Sequence, residues 1–287
     1  MTVDRALADR LRAATGRAVT GLTPLGTGTA DDRLYRAGLA GGGAAAVKVS
    51  RGGTHLGVEG RMLRLLAERS ALPVPGVIAC EADLLVMDFV ESGGRLDRAG
   101  EQHAADMVAA LHDLTADTYG LEFDTVIGGL AQANTPDTDW RRFFAERRLV
   151  AMAGQARDAG RLDGETAARV ERLAGRLDRW IDAPGPPSLL HGDLWGGNVL
   201  ARGGRVAAFI DPAVYYGDAE VELAFTTLFR TFSDAFYARY GERRPIRPGF
   251  FEARCALYNL YPLLVHVRLF GGSYAAQVDR TLSRFGV

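Results

Sequence analysis

Cysteine is almost absent from this 287-residue chain, which contains only Cys80 and Cys255. With no CxxC pair and no Cys/His cluster, a disulfide scaffold and a structural zinc site are excluded, and we expect a reducing, cytoplasmic environment. No apolar run reaches the roughly 18 residues that cross a bilayer, and Asp4 and Asp9 interrupt any resemblance to a signal peptide. The net charge of −1 lacks the basic excess typical of proteins that bind nucleic acid or anionic membranes.

Lysine is scarcer still. Lys48 is the only lysine among 34 basic residues, the others all being arginine. A chain that uses arginine wherever a positive charge suffices indicates that Lys48 occupies a place where a compact ammonium is needed.

The hydrophobic pattern divides the chain into a small β-rich part and a larger helical part. The first part is predicted to contain helices at 2–15 and 56–70 and strands at 19–26, 33–39, 45–50, 76–80 and 84–90. The second part is predicted to contain helices at 100–116, 139–159, 163–182, 219–240 and 248–284, with short strands at 189–190 and 205–210. We therefore expect an α+β protein of two lobes, residues 1–90 and 91–287, with a hinge near 87–93.

The densest group of polar residues lies in the segment 191–198, His-Gly-Asp-Leu-Trp-Gly-Gly-Asn, and is followed by Asp211. Asp193 and Asn198 are five residues apart, and Asp211 comes eighteen residues after Asp193. This spacing is typical of the protein-kinase catalytic loop, and carboxylate and amide oxygens are ligands that Mg²⁺ prefers. We predict a protein-kinase-like fold with Asp193 as the catalytic residue and Asn198 and Asp211 as Mg²⁺ ligands.

The predicted N-terminal lobe carries the matching groups for ATP. Lys48 in the third strand and Glu59 on the next helix form the ion pair that, in kinases, orients a lysine on the nucleotide phosphates. Gly26 and Gly28 lie between the first two strands, where a glycine-rich loop would cover those phosphates. Two glycines are also compatible with a plain hairpin, so only their position favours this role.

The predicted hinge completes the nucleotide site. Asp88, Phe89 and Val90 follow a buried strand, and in a two-lobed kinase their backbone would hydrogen-bond the adenine. A non-catalytic nucleotide-binding module, a pseudokinase, is the alternative from another class. It would be expected to lack at least one of Lys48, Asp193, Asn198 and Asp211, and all four are present.

Further segments make the resemblance more specific. The chain resembles the fructosamine kinase (ketosamine 3-kinase) family, a branch of the aminoglycoside-phosphotransferase-like kinases, over nearly its whole length. The resemblance is carried by the segments HGDLW (191–195), DPAVYYGDAE (211–220), IG (127–128), QAN (132–134), DW (139–140), FF (143–144), RL (148–149), LYPLLVH (260–266) and LFGGSY (269–274).

This resemblance implies ATP- and Mg²⁺-dependent phosphorylation of the sugar 3-hydroxyl of ketosamines, either free or attached to protein amines. The phosphorylated adduct is unstable, so the implied outcome is deglycation. Trp195 is expected to pack on the sugar or amine, and Asp218 or Glu220 to face the cationic nitrogen, although both acids could instead begin a helix. A related kinase of an aminoglycoside, choline or another hydroxylated amine is the alternative.

Two departures from the family pattern have consequences. The phosphate loop lacks the cysteine that many members use in redox-linked dimers, so that regulation should be absent. Separately, we expect a monomer whose partners are small ketosamines or glycated protein amines. Glu222 replaces the aspartate usual in related kinases, which weakens any role carried over to that position.

Overall fold

The computed structural model describes residues 5–27, 32–53 and 55–287 and forms two compact units. One unit, here the N-terminal unit, comprises the described residues up to Gly100 together with Asn198–Pro212. The other, the C-terminal unit, comprises Glu101–Gly197 and Ala213–Val287.

The N-terminal unit is built on a five-stranded antiparallel sheet of order β1-β2-β3-β5-β4. Its elements in chain order are α1 (Arg5–Thr15), β1 (Val19–Thr27), β2 (Asp32–Leu39), β3 (Ala44–Ser50), α2 (Leu56–Arg69), β4 (Val77–Cys80) and β5 (Leu84–Asp88). The predicted five strands and two helices are therefore confirmed.

Alternation along the strands separates two small cores. Leu84 and Val86 of β5 join the cluster that includes Leu11 of α1, whereas Leu85 and Met87 join a cluster with α2. Successive side chains of a strand point to opposite faces, so α1 and α2 cover opposite sides of the sheet.

The segment 198–212 adds a β-hairpin to this unit, formed by β9 (Val199–Arg202) and β10 (Arg205–Phe209). Backbone hydrogen bonds tie it to the unit: Gly93 N donates to Ala201 O, and Phe209 N donates to Pro73 O, both at 2.7 Å. The units therefore differ from the predicted division at residue 90, because these long-range bonds are not visible in a sequence pattern.

The C-terminal unit is mainly helical. Its elements are α3 (Arg98–His112, which begins in the N-terminal unit), β6 (Thr125–Ile127), β7 (Leu130–Gln132), α4 (Trp140–Phe143), α5 (Ala151–Asp158), α6 (Gly164–Ala174), β8 (Ser188–Leu190), β11 (Tyr215–Gly217), α7 (Ala219–Leu228), α8 (Asp234–Arg243), α9 (Cys255–Tyr258), α10 (Leu260–Phe270) and α11 (Ser273–Arg284). The β6–β7 hairpin and the β8–β11 pair are antiparallel.

Several predicted helices are divided or shortened. The helix predicted over 219–240 is two helices, because Arg230 adopts a positive φ of 50° and Ser233 caps the start of α8. The stretch 139–159 is helical as predicted but contains a π-helical segment, Phe144–Val150. That segment turns Phe144, Arg148 and Leu149 into the core of the unit.

Trp140 is fully buried at the centre of this core. Its ring stacks with Phe143 and Phe144 at centroid distances of 5.8 and 5.4 Å. Across the described ranges, none of the helices is both long and apolar enough to cross a membrane.

Candidate active site

Lys48 lies between two carboxylates in the N-terminal unit. On β3 it is paired with Leu85 and so faces α2, whose first turn carries Glu59. Lys48 Nζ is 2.6 Å from Glu59 Oε1 and 2.6 Å from Asp211 Oδ1. The predicted pairing of Lys48 with Glu59 is thus present, and Asp211 joins the same ammonium.

The electrostatics of the three groups follow from their burial. Burial alone would lower the pKa of Lys48, but the charges of Asp211 and then Glu59 outweigh it and raise that pKa, so the ammonium is charged. Burial raises the pKa of the Glu59 carboxyl despite the opposing charge of Lys48. Glu59 is 7 % exposed, whereas the Asp211 side chain is 40 % exposed and remains in contact with solvent.

The β9–β10 hairpin brings Asn198 and Asp211 together. Asn198 directly precedes β9 and Asp211 follows β10, and Ile210 N donates to Asn198 O at 3.0 Å. Asn198 Nδ2 also donates to the Asp211 carbonyl at 3.5 Å. Asp211 adopts a positive φ of 54°, a conformation uncommon outside glycine that occurs often at functional sites.

The donor set at the end of this hairpin suits Mg²⁺. It offers carboxylate oxygens from Asp211 and an amide oxygen from Asn198, which are hard ligands. Within the described ranges, no three His, Cys, Asp or Glu side chains form a preassembled metal cage. Mg²⁺ is usually held by one or two protein oxygens together with substrate phosphates and water, so two such residues fit the ion.

The glycine-rich loop is described only in part. Gly26 has a φ of +131° next to a register shift between Pro24 and Gly26 in the β1–β2 pairing, a backbone conformation that favours glycine. An added Cβ at Gly26 would meet no atom within 4 Å. Gly28 lies outside the described residues.

The predicted hinge residues follow the sheet without interruption. Asp88 ends β5, where it pairs with Ala45, and its N–H donates to Gly76 O at 2.9 Å. Phe89 and Val90 come after the strand, and the Arg36 guanidinium lies over the Phe89 ring at 4.9 Å. Because the Asp88 N–H is already used, the backbone of Phe89 and Val90 is the better candidate for contacts with a base.

Asp193 lies in the C-terminal unit, three residues after the end of β8 at Leu190. Its backbone N–H donates to Nδ1 of His191 at 3.4 Å. Gly192 has a φ of +87°, and a Cβ at this position would overlap the Ala213 carbonyl. Only glycine therefore allows the backbone to turn at this point and present Asp193.

Glu222 holds the backbone that precedes Asp193, a contact that the sequence did not predict. Its buried carboxylate accepts the N–H groups of His191 at 3.1 Å and Gly192 at 2.6 Å, and it lies 2.9 Å from His112 Nε2. Burial would raise its pKa, but His112, His191 and the Gly192 N–H together lower it, so the carboxylate is ionised. The signal in the sequence for this contact was the position of Glu222 in the first turn of the helix predicted over 219–240, which follows the polar segment.

Trp195 is 38 % exposed. Its indole lies over Gly197, where any Cβ would overlap the ring, and packs near Phe229 at a centroid distance of 5.6 Å. Phe229 in turn lies 5.1 Å from the ring of His266, which lies 4.8 Å from Tyr274. These four rings form a continuous aromatic cluster that begins two residues after Asp193.

Asp218 and Glu220 are bound within the protein. Asp218 caps α7 and is 2.6 Å from Arg247, while Glu220 is 2.6 Å from Arg254. Tyr258 donates to Asp218 at 3.0 Å. Both acids are buried, and these partners occupy them, so the expectation that one of them faces the substrate nitrogen is replaced by a structural role in this ion-pair network.

Comparison with known proteins identifies the family. The sequence model named "Fructosamine kinase" matches residues 6–285. The chain belongs to the fructosamine kinase family. It is 36% identical to "Probable ketoamine kinase" of Lactiplantibacillus plantarum over 78% of this chain and 79% of that one. It is 35% identical to "Probable ketoamine kinase YniA" of Escherichia coli K12, over 79% of each.

Solved structures extend the comparison to the fold. The "putative fructosamine-3-kinase" of Thermobifida fusca YX-ER1 is 33% identical, with a TM-score of 0.85 over 97% of this chain and 99% of that one. Aminoglycoside phosphotransferase APH(4)-Ia is 18% identical, with a TM-score of 0.67 over 99% and 100% of the two chains, which shows a shared fold only. The predicted α+β, protein-kinase-like fold and the predicted fructosamine kinase family are confirmed.

Proposed function

We propose that this fructosamine kinase family member uses ATP and Mg²⁺ to phosphorylate the sugar 3-hydroxyl of ketosamines, leading to deglycation. The observation that carries the proposal is the convergence of Glu59 and Asp211 on the single lysine of the chain, Lys48, in a protein that matches the family over residues 6–285. Phosphoryl transfer needs positioned charges more than covalent catalysis, and this arrangement supplies them.

The N-terminal unit holds the nucleotide in this proposal. Lys48, oriented by Glu59, binds the phosphates, and the backbone after β5 binds the adenine. Asp211 and Asn198 would hold Mg²⁺, which neutralises the charge that develops on the transferred phosphoryl group. When the phosphates are bound, Lys48 exchanges part of its contact with Asp211 for phosphate oxygens, which releases Asp211 carboxylate oxygens.

The C-terminal unit supplies the acceptor side. Asp193 accepts and orients the proton of the sugar hydroxyl, and its backbone is fixed by His191, Gly192 and Glu222. The amine nitrogen of a ketosamine is mostly protonated at neutral pH, and a cation is attracted to the face of an aromatic ring. The exposed indole of Trp195 is therefore the proposed contact for the amine or sugar, in place of Asp218 and Glu220.

The experiment is a substrate panel read by ADP release with Mg²⁺-ATP. Ribuloselysine, fructoselysine, an aminoglycoside and choline are compared, and the ketosamine products are analysed for a 3-phosphate and for release of the free amine. Turnover of ketosamines alone, followed by amine release, is the expected result. Turnover of only the aminoglycoside or choline would retain the kinase chemistry and overturn the substrate, and silence on all four would favour a pseudokinase.

A further inference from the structure

Gln132 is a buried amide whose hydrogen-bonding groups all have partners in the C-terminal unit. Its Nε2 donates to Thr125 Oγ1 at 2.8 Å and to the Ala213 carbonyl at 3.1 Å, and its Oε1 accepts from Tyr261 at 2.7 Å. An amide with both donors and an acceptor satisfied has one orientation, so Gln132 fixes the position of its partners.

Ala213 connects this amide to the loop that carries Asp193. Ala213 N donates to His191 O at 2.8 Å, and the Ala213 carbonyl lies against Cα of Gly192 so closely that no side chain would fit. The same carbonyl accepts from Gln132. A shift of Gln132 would therefore be transmitted through a single residue to the backbone that precedes Asp193.

Arg148 makes the surroundings of Gln132 rigid. It is fully buried, and among the described residues no carboxylate lies within ion-pair distance of it; instead it donates to Ala133 O and to Asn134 Oδ1, both at 2.7 Å. Its guanidinium lies over the rings of Tyr215 at 4.0 Å and Tyr261 at 5.6 Å. Burying a charge without a counter-charge is costly, and here hydrogen bonds and ring contacts offset that cost while they hold Ala133 and Asn134, the residues that follow Gln132.

Tyr261 is the link on α10. Burial raises the pKa of the Tyr261 hydroxyl, and the Arg148 guanidinium opposes the rise. The hydroxyl is therefore held protonated at neutral pH and donates its proton to Gln132 Oε1.

We propose that Gln132 and Tyr261 are positioning residues for phosphoryl transfer: through the Ala213 carbonyl they fix the His191–Gly192 backbone and thereby the Asp193 carboxylate. This inference rests on the proposed function only in that Asp193 is the acceptor-side residue. It gives a purpose to the hydrogen bonds of Gln132 and Tyr261, two residues that lie outside the set assigned to the nucleotide.

The test compares Tyr261→Phe with a matched control, Tyr119→Phe. Each change removes one hydroxyl from a buried tyrosine that donates one hydrogen bond, to Gln132 Oε1 at 2.7 Å or to Gly185 O at 2.6 Å. Kinetics are measured on whichever hydroxylated amine the wild-type enzyme turns over, so a wrong substrate assignment does not obscure the result. If the wild-type enzyme turns over none of them, the proposed function fails, and the positioning role of Gln132 and Tyr261 fails with it.

We expect Tyr261→Phe to lower kcat about tenfold with KM for ATP unchanged, because a small displacement of a catalytic group is costly while the nucleotide groups are unaffected. Tyr119→Phe should lower the melting temperature to a similar extent and leave kcat within about twofold of wild type. Equal effects of the two variants on kcat, or no effect of Tyr261→Phe, would overturn the proposal.

A double-mutant cycle that combines Tyr261→Phe with Gln132→Leu tests whether the effect of Tyr261 passes through the Gln132 amide. If Tyr261 acts through Gln132, the double variant should lose no more kcat than Gln132→Leu alone. Additive losses in kcat would show that the two side chains act independently and would contradict the link through Ala213.

Discussion

Replacement of Lys48 with methionine separates the structural and chemical roles of the buried ion pair. Methionine keeps the length of the side chain but removes its charge, which leaves the Glu59 carboxylate buried without a cation. Breaking a buried pair from one side costs about 3–5 kcal/mol, a large part of a total stability of roughly 5–15 kcal/mol. Asp211 contributes little to this cost because its side chain is 40 % exposed and can be hydrated.

The double variant Lys48→Met/Glu59→Leu is the matched control. An apolar pair of similar volume avoids the isolated charge, and such replacements are often neutral in stability. We expect the double variant to recover most of the lost free energy of unfolding and to remain inactive, because the proposed phosphate ligand is absent in both proteins.

The dependence on pH gives an independent check. Burial raises the pKa of Glu59, and the positive charge of Lys48 opposes that rise. In folded Lys48→Met this opposing charge is gone, so the Glu59 carboxyl keeps its proton at pH values where it has lost that proton in the unfolded chain. The stability of the single variant should therefore fall as the pH rises above the unfolded value of about 4.3. Urea unfolding at pH 5 and pH 8 measures this; a single variant as stable as wild type at pH 8, or a double variant no more stable than the single, would refute the reasoning.

Three further changes test other parts of the site. Gly192→Ala places a Cβ against the Ala213 carbonyl at a φ of +87° and should lower turnover about a hundredfold while nucleotide binding persists; unchanged turnover would contradict the close approach. Glu222 has a lowered pKa, so its stabilisation is present above the unfolded value of about 4.3 and is lost as the pH falls through the folded value. The difference in unfolding free energy between wild type and Glu222→Gln should thus narrow toward pH 3, and a constant difference would argue against an ionised carboxylate. Lys48→Arg should remain folded but lose most of its activity, since the planar guanidinium does not fit between two carboxylates placed for a compact ammonium; an active variant would refute that interpretation.

Local pattern was sufficient for the five-stranded sheet of the N-terminal unit. Alternation in β3 and β5 predicts which side chains share a face, and that alternation is what brings Lys48 to Glu59. The kinase-like spacing predicted that Asn198 and Asp211 would lie together, but the hairpin that joins them to this unit was not predicted.

Ion-pair and hydrogen-bond partners that are distant in the chain could not be predicted from the sequence. Asp218 and Glu220 resemble substrate-binding acids until Arg247 and Arg254, about thirty residues downstream, are found to occupy them. Glu222 shows the reverse case, since only the folded backbone reveals that its carboxylate accepts the two N–H groups that precede Asp193. Neither relation has a periodic signature, because each depends on how separate helices pack.

The most direct test of the central claim is turnover of ribuloselysine by wild-type protein and by Asp193→Asn, with Mg²⁺-ATP binding measured on both. We expect ketosamine phosphorylation by the wild-type protein and its loss by at least about a thousandfold in Asp193→Asn. ATP affinity should be retained, because the substitution removes the proton acceptor and leaves the nucleotide groups of the other unit intact. Substantial ketosamine turnover by Asp193→Asn would contradict the assignment of Asp193, and an inactive wild-type protein would contradict the proposed function.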